Sequence, residues 1–180
     1  PTSVVMAVCS LRVSDRLVMR FGIRPPLVAG LSLAAASLAL FSRAPVDGSF
    51  VTDVLPSMLL LGAGAGIAFN PVLLAAMGDV EPHESGLASG VVNTSFMMGG
   101  ALGLAVLVSL STARTESLAA GGAAPLEALN GGFQLAFAVG AVAAALAALV
   151  GGVFLRPKPM TMPEPELDGE AEPEACPEVA

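Results

Sequence analysis

The sequence has no tryptophan, no tyrosine, two cysteines and one histidine, and only 13% of its 180 residues are Asp, Glu, Lys or Arg. Soluble domains carry about 25% charged residues, so this deficit excludes an ordinary water-facing surface. Without Trp and Tyr the aromatic belts that usually mark the two headgroup levels are missing, and the eight Phe lack the polar handle to replace them. Cys9 and Cys176 stand at opposite ends with no metal-ligand spacing, which leaves no disulfide framework and no zinc site. No metal and no cofactor are expected. No nucleophile, base or metal cluster is visible, so an enzyme is not expected either. The net charge of −7 gives no support for nucleic-acid binding, and it is unevenly spread. From Arg156 onward two basic residues face seven acidic ones, while the first 155 residues carry six and eight.

Hydrophobic residues make up 54% of the chain, and the mean hydropathy is +0.78. Crossing the hydrocarbon core of a bilayer takes about 20 apolar helical residues. Runs of that order predict spans over 25–42, 54–78, 86–110 and 130–155, and residues 1–13 read as the end of a fifth. The chain opens at Pro1 without Met and without a charged region ahead of an apolar core. It reads as the middle of a longer polypeptide rather than as a signal peptide. The expected fold class is all-α: a polytopic transmembrane helix bundle of four full spans plus the end of a fifth. Residues 156–180 form an acidic Pro/Glu-rich tail that cannot bury a core and is expected to be disordered.

Arg12, Arg16, Arg20 and Arg24 recur every four residues, with Asp15 beside Arg16. Four arginines between apolar runs place this loop in the cytoplasm by the positive-inside rule. The spacing predicts a short surface helix ended by Gly22 and Pro25; the plainer alternative is that the arginines set topology and touch lipid phosphates. Alternation then puts 43–53 and 111–130 outside, and 79–84 and the C-terminus inside. His83 in the 79–84 turn is of the residue type suited to a proton relay, but it reads as an exposed histidine with no role.

Small residues mark the packing faces. Gly62, Gly64 and Gly66 imitate a phosphate-binding loop, yet they lie within an apolar helix rather than between a strand and a helix. Gly62 and Gly66 are therefore expected to meet a neighbouring helix. Gly86, Gly90, Gly99, Gly100 and Gly103 share half a helical wheel with Ser89 and Asn93, and Leu87, Val91, Met98 and Leu102 take the other half. Pro71, after Asn70, removes the hydrogen bond to residue 67 and predicts a kink there. Such breaks line cavities in transporters, and they also occur in ordinary spans. Asn70, Asn93 and Gln134 are candidate cavity-lining side chains; the alternative is interhelical hydrogen bonding at about 1 kcal/mol each.

Two stretches carry a resemblance. RLVMRFGIRPPLVAGL resembles the second-half copy of the loop signature of the major facilitator superfamily, and more narrowly of its fourteen-helix drug:proton antiporter branch. Arg20, Gly22 and Arg24 match its Arg-x-Gly-x-Arg portion, while Met19 and Asp15 stand where the pattern has Asp and Gly. The loop signature thus falls on Asp15, Arg16, Arg20, Gly22 and Arg24. ESGLASGVVNTSFMMGGALGLAV resembles the penultimate helix of that branch, with Phe96 and Met97 in place of a polar pair that often lines the cavity. The resemblance implies the C-terminal third of an exporter in the plasma (inner) membrane. It would exchange drug-like or amphiphilic small molecules for protons by alternating access. Its partners would be the lipid bilayer, the missing N-terminal helices, the substrate and protons. No acidic residue sits inside a span, so the proton carrier is expected in the missing part. The alternative function is a non-transporting membrane scaffold or assembly subunit whose acidic tail binds a partner.

Overall fold

The computed structural model describes residues 2–46, 48–78 and 80–154. The acidic tail lies outside the described residues. Helix α1 (Thr2–Val8) passes through a π-helical stretch, Cys9–Ser14, into α2 (Asp15–Phe21). Then follow α3 (Arg24–Phe41), α4 (Leu55–Met77, preceded by a π-helical turn at Phe50–Val54), α5 (Ser85–Ala120) and α6 (Pro125–Phe154). Among the described residues there is no strand, and the fold is the expected all-α bundle. Four helical segments, Arg24–Phe41, Phe50–Met77, Ser85–Ala120 and Pro125–Phe154, are long and apolar enough to cross a membrane.

The helices pack in the order α4, α3, α6, α5, with α1 and its π-helical stretch laid against the other side of α4. α3 approaches α4 closely, and two glycines permit it. A Cβ added at Gly64 would lie 2.6 Å from the Ala34 nitrogen and 2.7 Å from the Gly30 oxygen. A Cβ at Gly30 would lie 2.7 Å from both the Ala68 nitrogen and the Gly64 oxygen. Each helix thus sets a small residue, three positions and then a second small residue against its neighbour, so that backbone meets backbone. Gly62 and Gly66 face α1 instead, where added Cβ atoms would meet the Thr2 oxygen at 2.6 Å and the Met6 oxygen at 2.5 Å. At the far end of this pair the buried Ser37 Oγ donates to the Ser57 carbonyl at 2.7 Å. The α3–α6 contact includes Phe41 stacked on Phe137, ring centres 5.2 Å apart.

Two element boundaries differ from the sequence reading. The arginine-bearing segment is not a separate surface helix, because the chain stays helical from Thr2 to Phe21. Gly22, at φ 80°, makes the break, and α3 restarts at once with two prolines in its first turn, where no N–H is needed. The loop expected from Ser111 to Asn130 is also mostly helical, since α5 runs on to Ala120 and α6 begins at Pro125. At 36 residues α5 is roughly 54 Å long, far more than a bilayer core requires. Arg114 and Glu116 end the apolar run without ending the helix, because Ala, Arg, Glu and Leu are all good helix formers. Gly122, at φ 85°, ends it instead.

The same end of the bundle is tied down by α6. Asn130 Nδ2 and Gln134 Nε2, one helical turn apart, both donate to the Ala44 carbonyl, at 3.2 and 2.9 Å. They pin the chain just after α3 to the first turns of α6.

Candidate functional site

Helices α4 and α5 are the two ends of the packed row and touch over a small area. Their contact includes Phe69 edge-on to Phe96, ring centres 6.3 Å apart and planes at 89°. A cleft of about 620 Å³ lies between them, lined by Phe69, Val72, Leu73 and Met77 from α4 and by Ser89, Gly90, Val92, Asn93 and Phe96 from α5. No lining residue is charged. Two aromatic rings, a methionine and aliphatic side chains surround two polar points, Ser89 and Asn93. A pocket of a few hundred Å³ with apolar walls and a few polar groups is the usual form of a small-molecule site.

The structure brings only some of the candidate residues here. Asn93 and Phe96 line the cleft, whereas Met97 is exposed outside it. Gln134 is engaged by Ala44, and Pro71 is fully buried. Asn70 turns the other way from its neighbour Phe69: its Nδ2 donates to the Ser10 carbonyl and to Asp15 Oδ1, both at 3.2 Å. Among the described residues nothing lies within 4 Å of a Cβ built at Gly86, Gly90, Gly99, Gly100 or Gly103, and no α5 residue is buried. In the loop signature Asp15 and Arg16 are exposed, Arg24 opens α3, and the Arg20 guanidinium lies 5.5 Å from the centre of the Phe21 ring. His83 is exposed, with Nδ1 3.3 Å from Glu81 Oε2. Among the described residues no three His, Cys, Asp or Glu side chains are grouped to hold a metal.

Several contributors escaped the sequence reading. Phe69, Val72 and Leu73 look like any lipid-facing residues of a span. Asn130 has a discernible signal, since it stands one helical turn before Gln134. Ser14 had a half-signal: Pro71 announces that the Ile67 carbonyl needs a donor, but not that the donor lies in α1's continuation.

A row of long apolar helices packed through glycine, with a cleft open between its end members, defines a polytopic membrane protein. The family model described as Major Facilitator Superfamily matches residues 2–104, from α1 through the first half of α5. The chain belongs to that superfamily. It is 38% identical over 148 residues to the puromycin resistance protein pur8 of Streptomyces alboniger, covering 78% of this chain and 29% of that protein. It is 31% identical to the cephamycin export protein CmcT of Amycolatopsis lactamdurans, over 64% of this chain and 24% of that protein. To the lincomycin resistance protein of Streptomyces lincolnensis it is 38% identical, over 52% and 19%. The chain thus spans under a third of the length of these relatives. No solved structure is significantly similar to it.

Proposed function

We propose that this chain is the C-terminal membrane portion of a secondary exporter of drug-like, amphiphilic small molecules, driven by protons moving the other way. The observation that carries the reading is the α4–α5 cleft, whose uncharged, aromatic walls and single amide suit an apolar body with one hydrogen-bonding group. The relatives' names, of resistance and export, point the same way. The arginine loop and the C-terminus lie on the cytoplasmic side of the plasma membrane in this reading, by the excess of Arg in that loop. Further helices of the same transporter, beyond these 180 residues, supply the proton-carrying group and cover α5 beyond the cleft, around Gly99, Gly100 and Gly103. Alternating access then opens the cleft to one side of the membrane at a time.

The test is efflux of an amphiphilic dye from proteoliposomes under an imposed pH gradient. The chain joined to the further helices that complete the transporter should extrude dye, and Asn93→Leu should reduce the rate. The 180 residues alone should not transport. Gradient-independent leakage from the joined protein would overturn the exporter reading. Extrusion by the short chain would overturn the need for further helices.

A further inference from the structure

Proline at position 71 leaves the Ile67 carbonyl without its helical N–H donor. The gap is filled from another helix: Ser14 Oγ donates to the Ile67 carbonyl at 3.2 Å. Ser14 is 0% exposed and Pro71 is fully buried beside it. Asn70 adds two bonds at the same level, to the Ser10 carbonyl and to Asp15 Oδ1. Ser10 and Ser14 both belong to the π-helical stretch Cys9–Ser14. A π turn is wider than an α turn and frees local backbone groups, and it often marks a functional position in a helix. Here it offers α4 a carbonyl to receive the Asn70 amide and a hydroxyl to fill the proline gap.

The opposite side of the same turn of α4 is the cleft. Phe69, one residue before Asn70, meets Phe96 across it, and Val72 and Leu73 continue its wall. The point where α4 lacks a stiffening bond is therefore held from one side and lines the cleft on the other. We propose that Ser14, Asn70 and Asp15 form a clasp that sets the width of the α4–α5 cleft. They are positioning residues: none of them lines the cleft. With the clasp made, the turn of α4 carrying Phe69 stays against Phe96. With it released, that turn is free to bend at Pro71, and the cleft widens. Asp15 stands beside Arg16 in the arginine-bearing helical segment, so events at that segment reach the cleft through one hydrogen bond. The inference deepens the exporter reading by naming what positions its cleft, but its test uses no substrate and no gradient, so the two fail separately.

The absence of Trp and Tyr supplies a silent background. In the full chain, with Cys9→Ser and Cys176→Ser, Phe69→Trp becomes the one indole, and a short-range quencher is attached at Phe96→Cys. In lipid nanodiscs the parent should be strongly quenched. Ser14→Ala combined with Asn70→Leu should release the quenching, the closed-to-open ratio shifting about five-fold or more for each bond lost. Asp15→Ala, at an exposed position that does not endanger folding, should release part of it. Ser37→Ala removes a bond from another fully buried serine to a carbonyl, at the far end of α3–α4, and should leave quenching unchanged. Quenching at the parent level in Asp15→Ala and in the double variant would overturn the proposal. So would an equal loss in Ser37→Ala, which would mark general loosening rather than a clasp. If the double variant does not fold, Asp15→Ala alone decides.

Discussion

Gly64→Ala measures how much of the bundle's stability rests on the α3–α4 backbone contact. The added methyl would meet the Ala34 nitrogen at 2.6 Å and the Gly30 oxygen at 2.7 Å. Ordinary contact begins near 3.4 Å, so the helices must part by roughly 0.7–0.8 Å at their crossing. Both obstacles are backbone atoms and cannot turn aside as a side chain would. A radial gap of about 0.5–1 Å forfeits a quarter to a half of the dispersion energy of each contact along the seam, and forcing a methyl into a packed interior costs about 1–3 kcal/mol. Against this stands the gain of about 1 kcal/mol from replacing glycine by alanine within a helix.

The control is Gly90→Ala, also inside a helix, where an added Cβ has nothing within 4 Å among the described residues. The propensity gain is common to both variants, so their difference isolates the close approach. Reversible unfolding in mixed micelles, followed by far-UV circular dichroism, should place Gly64→Ala about 1–3 kcal/mol below Gly90→Ala. A difference under about 0.5 kcal/mol, the scatter usual for substitutions that touch nothing important, would refute the contact as the seam holding α3 to α4.

The double bond to Ala44 predicts an uneven response. Asn130→Leu or Gln134→Leu alone should cost under about 1 kcal/mol, because the carbonyl keeps one donor, while the pair together should cost more than their sum, read as a coupling energy in the same unfolding assay. Phe137→Leu should destabilise by about 1 kcal/mol beyond its lost area, since it breaks the stack on Phe41, and Phe41→Leu should add little once Phe137 is gone. In the transporting protein, Asn93→Leu should raise the KM for a substrate bearing a hydrogen-bonding group and spare one without it; equal effects on both substrates would remove Asn93 from the cleft's selectivity.

The helical class and the number of long apolar helices were legible because both follow from run length and charge, which need no knowledge of neighbours. Pro71 also told, through its missing N–H, which carbonyl would need a new partner. What was not legible depends on which helix faces which. Gly30 and Ala34 have the same spacing as Gly64 and Ala68, yet spacing alone cannot say that these two pairs meet. Ser14 reaches Ile67 across 53 positions of sequence. The sequence leaves Gln134 open between cavity lining and a bond to another helix; the structure has it donating to the Ala44 carbonyl, and Asn130, at the loop boundary, shares that acceptor. Arg114 and Glu116 misplaced the end of α5 because charge ends a hydrophobic run, whereas a helix ends where its backbone turns, at Gly121 and Gly122.

The glycines of α4 and those of α5 look alike in sequence and stand in different circumstances. Gly62, Gly64 and Gly66 are filled by α1 and α3 at backbone distance. Each glycine in a helix interior weakens it by about 1 kcal/mol relative to alanine, and on α4 close packing offsets that within the chain. On α5 the same penalty recurs at Gly86, Gly90, Gly99, Gly100 and Gly103 with no contact among the described residues to offset it. If further helices of the transporter lie against the part of this face beyond the cleft, as proposed, then Gly99→Leu and Gly103→Leu separate the two roles. In the 180-residue chain both should leave stability within about 0.5 kcal/mol of Gly90→Ala, because each side chain enters open space. In the protein that includes the further helices, both should abolish folding or efflux, because a branched side chain cannot enter a backbone contact. Normal expression and efflux of both variants there would show that α5's glycines meet lipid rather than protein. The open face would then need a different partner.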